Sequence, residues 1–351
     1  MKILFKRTTP TYRDFLTTQE IMLHLTVALL VVSAVSVGYY FSLGADYGIK
    51  ALLMIAVSVL SAYLCEIVYY YLLKEKNIKK TVNNSFYYVT GILFALVLPV
   101  GTPYYVVIFG SIFSILIGKL IFGGFGQNIF NPALMGRVFV MMSYGDKLTT
   151  VLPSKAVDGV SSPTPTAILA GTQWMGDSGV SLSNLYFGFY KGSIGESFAI
   201  VIILLGIYLA WKRVLDWRMP VFYISASFII AFIAAMFHGI NPLTFALVNV
   251  GIGGLVFGGV FMVTDPVTSP ASPFGKIIFA IGAAFFTMLL RFKSNMPEGV
   301  LYSILIMNML TPMIDKYTLA PTNREEKKEL LFIGAFILVS SLLVALIWKG
   351  A

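Results

Sequence analysis

Charge is scarce in this chain. Only 12% of its 351 residues are Asp, Glu, Lys or Arg, against 58% that are hydrophobic, a ratio that excludes an ordinary soluble domain. With apolar runs approaching twenty residues, it reads as an all-α polytopic membrane protein. Cysteine is scarcer still: Cys65 stands alone, which excludes a disulfide within the chain and any cysteine-held cluster. Two histidines, His24 and His238, do not make a metal-ligand set, so no metal centre is expected. No cleavable leader is expected either. The first twenty residues carry Lys2, Lys6, Arg7 and Arg13, and the apolar run after them is long enough to span.

What the chain has is apolar helix-forming sequence. Eleven spans are predicted, at about 21–43, 48–73, 86–99, 103–122, 130–144, 195–211, 219–237, 243–263, 274–292, 298–314 and 329–348. With the N terminus inside, seventeen Lys and Arg fall on inner segments and seven on outer ones, with Arg137 inside a span. That asymmetry is the positive-inside pattern. It accounts for the formal charge of +9 with the lipid bilayer as partner and no nucleic acid, and it puts the long loop 145–194 outside.

An internal echo adds organisation. "LPVGTPYYVVIFGSIFSILIGKLIF", from Leu98, resembles "DPVTSPASPFGKIIFAIGAAFFTMLL", from Asp265: each has a Pro-Val pair, a proline-punctuated turn and an apolar helix. Five helices per half would make the second half inverted in the membrane. The alternative is that any two proline-broken spans look alike. The expected organisation is a cytoplasmic segment 1–20, a first five-helix repeat 21–144, an outer loop 145–194, a second five-helix repeat 195–315, and a linker with an extra C-terminal helix 316–351.

Two short segments interrupt the hydrocarbon. "GGFGQNIFNPALMGRVF", Gly123 to Phe139, sets four glycines and a proline where a helix enters the membrane. Broken backbone at that depth survives only when buried in protein or lining a cavity. Asn128 and Asn131 lie three apart there, and side-chain amides both donate to and accept from a planar heterocycle; capping of the next helix is the alternative. "GGVFMVTDPVTSPASPFGK", Gly258 to Lys276, matches it in the second half, with Thr264 and Asp265 ending a helix against Pro266. An anion or flavin contact and a plain Asp-Pro turn are both open at this point.

Two charges inside spans are singled out. Glu66, in "SAYLCEIVYYYLL", costs about 2.5–3.5 kcal/mol or more on insertion scales for comparable charged residues. It is a candidate for an ion path, with pairing to a basic residue as the competing account. Arg137 is expected to face a flavin or a carboxylate rather than lipid.

A third motif, "DGVSSPT", Asp158 to Thr164, lies in the outer loop. Together the three motifs resemble the D subunits of Rnf complexes and, more distantly, the B subunits of sodium-pumping NADH:quinone oxidoreductases, over about residues 20–315. The resemblance implies a ten-helix, two-repeat fold similar to urea transporters. It implies a subunit of a bacterial inner-membrane complex that couples electron transfer between ferredoxin and NAD to Na+ or H+ movement, among other membrane and peripheral subunits. It also implies a covalent FMN, attached by a flavin transferase through a phosphoester to Thr164. Asp158 and Ser161 match the family's spacing, whereas Ser162 and Pro163 replace the usual Gly and Ala; Thr166 is the fallback acceptor. A non-covalent riboflavin at Asn128 and Asn131 is implied as well. No residue is needed as a general acid or base. The rival class is a flavin-free solute channel of the same fold, for which the "DGVSSPT" loop would have no use.

Overall fold

A computed structural model of the chain describes residues 16–148, 165–172, 174, 179–190, 192–294, 299–319 and 326–349. Their regular structure is helical, and the one β contact among them is an isolated bridge between Pro99 and Ser193. Among the described residues five helices are long and apolar enough to cross a membrane: α1 (Thr18–Leu43), α2 (Ala45–Leu72), α10 (Arg218–His238), α13 (Pro273–Lys293) and α15 (Glu326–Lys349). Between them lie α3 (Ile78–Asn83), α4 (Tyr87–Leu96), α5 (Tyr104–Ile115), α6 (Pro132–Tyr144), α7 (Pro165–Gly171), α8 (Leu182–Phe187), α9 (Ala199–Trp211), α11 (Pro242–Gly251) and α12 (Leu255–Phe257). The remaining long helix, α14 (Gly299–Thr318), carries Pro312 inside it. Two π-helical turns, Leu116–Leu120 and Gly258–Met262, extend α5 and α12.

The first half is built on close backbone approach. Thr17 starts α1 with a reciprocal capping box to Glu20. α1 and α2 are separated only by Gly44, whose φ of 154° is within the range that favours glycine. Behind them α2 receives α4 at Gly91, where a Cβ would come within 2.9 Å of the Val59 Cα. Small residues at such a contact let polar side chains bond across it. Ser58 donates to the Gly91 carbonyl at 2.7 Å, and Ser111 of α5 donates to the Ser58 carbonyl at 2.7 Å.

The second half centres on α13, which packs on α10, α14 and α15. Thr287 is its polar hub, within 3.0 Å of the Tyr223 hydroxyl and 2.7 Å of Ser303. The extra C-terminal helix α15 docks through Trp348, whose ring meets His238, Phe245 and Phe292. The halves join where residues 193–195 lie along the end of α4. The Ile194 N–H donates to the Leu98 carbonyl at 3.0 Å and the Gly195 N–H to that of Leu96 at 2.7 Å.

Two expectations change. The span 243–263 is not one helix: α11 and α12 meet at a 63° bend, because Gly253 and Gly254 take φ of 65° and 68°, and no helix continues through consecutive left-handed residues. Lys119 and Arg291, expected among the loop charges, are buried at 2% and 0% exposure. One comes off each side, so the bias stands at sixteen to six.

Candidate functional site

The two interrupted segments meet at one cavity. Asn131 opens α6: its Oδ1 accepts from the Ala133 and Leu134 N–H groups, and Pro132 follows at the first helical position. The start of α6 is held against α5, where Ser114 donates to the Pro132 carbonyl at 2.6 Å and a Cβ on Gly118 would come within 2.9 Å of the Pro132 Cα. On the other side Asp265 makes a tight turn, accepting from the Val267 N–H at 3.1 Å and the Thr268 hydroxyl at 3.2 Å. Asn308 of α14 ties the two segments together. Its Oδ1 accepts from the Asn131 N–H at 3.2 Å and its Nδ2 donates to the Thr268 carbonyl at 3.3 Å.

Between these segments is a cavity of about 80 Å³ whose lining includes Asn128, Asn131, Thr264 and Asp265, with Lys119, Phe86, Phe125 and Phe261. Four of the residues singled out from sequence are thus brought together. Their remaining hydrogen-bonding capacity differs. Asn131 has its Oδ1 committed to the helix cap, leaving Nδ2. Asn128 spends one N–H on the Phe130 carbonyl at 3.0 Å, leaving its oxygen and second N–H for a ligand. Thr264 donates to the Val260 carbonyl. Arg137 is buried in α6 and does not line the cavity.

The donor set suits a flat, neutral heterocycle: amides for the ring edge and phenyl rings for its faces. The volume does not admit one as the side chains stand, since ligand pockets typically run to ~300–1,000 Å³. A ring enters only if lining side chains move, and Phe86 and Phe125, in edge contact with centroids 4.9 Å apart, are two that can turn aside.

Glu66 stands behind this wall. It is fully buried, accepts from Ser85 at 2.7 Å, and pairs with Lys119 at 2.9 Å. The competing account of its cost, a basic partner, is therefore present in the structure. Lys119 also donates to the Ser85 carbonyl. That carbonyl ends the turn after α3, just before Phe86 enters the left-handed region at φ 52° to start α4.

The second half repeats this device. Arg291 of α13 donates to the carbonyls of Asn249, Ile252 and Gly253, at the break between α11 and α12. Each interrupted helix thus has its exposed carbonyl end covered by a cation from the helix that follows it, where the helix dipole favours positive charge. The two short inner helices also run oppositely. α4 starts at the cavity with Phe86 and ends at Val97 beside a smaller recess, whereas α12 starts at that recess with Gly254 and leads back to Thr264 and Asp265. Each course, Phe86 to Val97 and Gly254 to Asp265, is twelve residues, roughly 16 Å of helix.

Asp158, Ser161 and Thr164 lie outside the described residues. The helix after them, α7, is described: Thr166 is 7% exposed in its first turn, and a Cβ on Gly253 would come within 2.6 Å of its methyl group. α7 therefore lies at the recess end of the molecule, where Trp174 lies 5.7 Å from the Arg291 guanidinium. Lys119, Ser85, Asn308 and Arg291 were not identified from sequence as site residues. The one available signal was a basic residue within an apolar run, which Lys119 and Arg291 both give.

The sequence pattern of the NQR2, RnfD, RnfE family matches residues 6–323. The chain is similar to the D subunit of the proton-translocating ferredoxin:NAD(+) oxidoreductase complex of Clostridium ljungdahlii, 38% identical over 284 residues, covering 78% of this chain and 84% of that one. It is equally similar, at 38% over 302 residues and 86% and 89% coverage, to the Na(+)-translocating counterpart of Acetobacterium woodii. The D subunit of the ion-translocating oxidoreductase complex of Stutzerimonas stutzeri is 32% identical over 328 residues, covering 85% and 89%. With the match running across both interrupted segments and the cavity between them, the chain belongs to the NQR2, RnfD, RnfE family.

Proposed function

We propose that this chain is the D subunit of an Rnf-type, ion-translocating ferredoxin:NAD(+) oxidoreductase complex, and that it holds two flavins near opposite ends of its inner helices. The observation that carries the reading is the convergence of Asn128, Asn131, Thr264 and Asp265 on one cavity, at the far end of α4 and α12 from the helix that follows Thr164. When bound, the flavins supply the electron chemistry. The chain's residues do the rest. Asn128 addresses a ring edge, Phe86 and Phe125 open to admit the ring, and Lys119 with Glu66 keeps the cavity wall charged but paired. Thr164 is the acceptor for FMN, attached by a flavin transferase. The buried Thr166 is the less accessible alternative.

The two halves are read as five-helix repeats, 21–144 and 195–315, inverted in the inner membrane with the N terminus cytoplasmic, ten helices in the urea-transporter manner plus α15. The opposite courses of α4 and α12, and the matching roles of Lys119 and Arg291, support the inversion. Which ion moves does not follow from the similarities, because relatives named for Na(+) and for protons are equally identical to the chain. Glu66 remains the proposed ion-path carboxylate. The decisive experiment is a denaturing gel of the purified subunit: a fluorescent flavin band is expected, together with riboflavin in the extract of the assembled complex. A colourless subunit from a complex active in ferredoxin-dependent NAD reduction would overturn the two-flavin reading.

A further inference from the structure

We infer that the groove between α9 and α10 is a binding site for one anionic phospholipid, its acyl chains in the groove and its phosphate on Lys212 and Arg213. The first half has no counterpart. There α1 and α2 pack on each other, whereas α9 packs mainly on α1, α8 and α12, and α10 on α11, α13 and α15. The space left between α9 and α10 is about 930 Å³. Its walls are hydrocarbon, with Ile203 and Ile207 on α9 and Val221, Ile224 and Phe228 on α10.

The length of the groove selects the occupant. From Trp217 at its mouth to Ile229, the last residue of α10 that lines it, is roughly 18 Å of helix, close to one leaflet of a hydrocarbon core ~30 Å thick. At the far end it is walled by Tyr186 and Leu247, tied by a hydrogen bond from the Tyr186 hydroxyl to the Leu247 carbonyl at 3.0 Å. A transmembrane helix from a neighbouring protein needs about 20 residues of wall and would run past this stop. Acyl chains of one leaflet would not.

Charge selects the headgroup. Trp211 and Trp217, 78% and 54% exposed, flank the mouth, where indoles mark the membrane–water boundary. Between them the chain carries Lys212, Arg213 and Asp216. The Asp216 carboxylate is already engaged by Arg218 at 3.3 Å and Lys276 at 3.1 Å. Exposed Lys212 and Arg213 therefore present uncompensated positive charge at the opening, the arrangement that captures phospholipid phosphates.

Native mass spectrometry of the purified full chain, titrated with phosphatidylglycerol and with phosphatidylcholine, tests this. One phosphatidylglycerol is expected to be retained, and Lys212→Gln/Arg213→Gln should weaken it roughly 25-fold, two contacts worth roughly fivefold each. Lys147→Gln, an exposed cation elsewhere, should leave it unchanged. Ser225→Trp and Ile207→Trp, which fill the groove, should each lower retention of both lipids without lowering the unfolding temperature in lipid-free detergent. Equal binding of the two lipids, an unaffected double variant, or unaltered retention in both filled variants would overturn the proposal. So would a cross-link from Ser225→Cys, in a Cys65→Ser background, to a neighbouring protein in the assembled complex, which would identify the occupant as a protein helix.

Discussion

Lys119 Nζ lies 2.9 Å from Glu66 Oε1, and neither side chain is more than 3% exposed. The pair joins the wall of the cavity to α2 and, through the Ser85 carbonyl, to the break between α3 and α4. Removing one charge of a buried pair leaves the other uncompensated, at about 3–5 kcal/mol. Lys119→Met is therefore expected to destabilise the protein by that order, and adding Glu66→Gln should recover most of the loss. Unfolding midpoints of the single and double variants measure it; a double variant as unstable as Lys119→Met would refute the coupling.

Asn128 and Asn131 are expected to separate by function. Asn128→Leu should reduce the riboflavin extracted from the complex and, by taking the donor from the Phe130 carbonyl, cost about 1 kcal/mol of stability. Asn131→Ala removes a helix cap and should cost about 0.5–2 kcal/mol, whereas Asn131→Asp, which keeps the acceptor, should cost less. Undiminished riboflavin in Asn128→Leu would remove it as a ligand.

Covalent flavin should depend on Thr164 and not on Thr166. Thr166 is buried against Gly253 in the first turn of α7, so a transferase would have to unpack that turn to reach it. In-gel fluorescence is expected to vanish in Thr164→Ala and persist in Thr166→Ala. The opposite pattern would move the attachment site by two residues.

Acid should loosen the connection between α9 and α10. Partial burial works to raise the Asp216 pKa, but the Arg218 N–H, the bond and charge of Lys276 and the charge of Arg218 together hold it below the ordinary carboxylate value of 3.8. A lowered carboxylate contributes stability above its unfolded-state pKa and loses it as the pH falls through the folded-state value. The wild-type protein should therefore lose stability on acidification below about pH 4 by more than Asp216→Asn does. Parallel melting curves for the two between pH 3 and 7 would contradict this.

The proposed sidedness rests on the distribution of basic residues. In a Cys65→Ser background, Ser162→Cys is expected to react with a membrane-impermeant maleimide applied to intact cells, and Asn77→Cys to stay unlabelled. The reverse labelling would invert the proposed topology and put the Thr164 flavin in the cytoplasm.

Most helices could be read from the sequence because the bilayer tolerates little else. A run apolar enough to sit in hydrocarbon must also close its own hydrogen bonds, so composition marks both the element and its ends. The expected 130–144 and 274–292 became Pro132–Tyr144 and Pro273–Lys293, each with Pro at the first turn and a capping side chain before it. The loop motif and both interrupted segments were likewise visible as departures from that composition.

What the chain does at those interruptions was decided only in three dimensions. Gly253 and Gly254 permit a 63° bend, but the freed carbonyls need Arg291, about forty residues further on. Lys119, with its apolar neighbours, looked like a loop charge because its partner Glu66 is 53 positions away. The segments of Asn131 and Asp265 were separate motifs until Asn308, 177 positions from Asn131, bridged the Asn131 N–H and the Thr268 carbonyl. Local sequence carries hydropathy, caps and breaks, since these depend on neighbours within a turn or two. The pairing of buried charges and carbonyls depends on which helices pack together, and that is settled by the close backbone contacts of the assembled bundle.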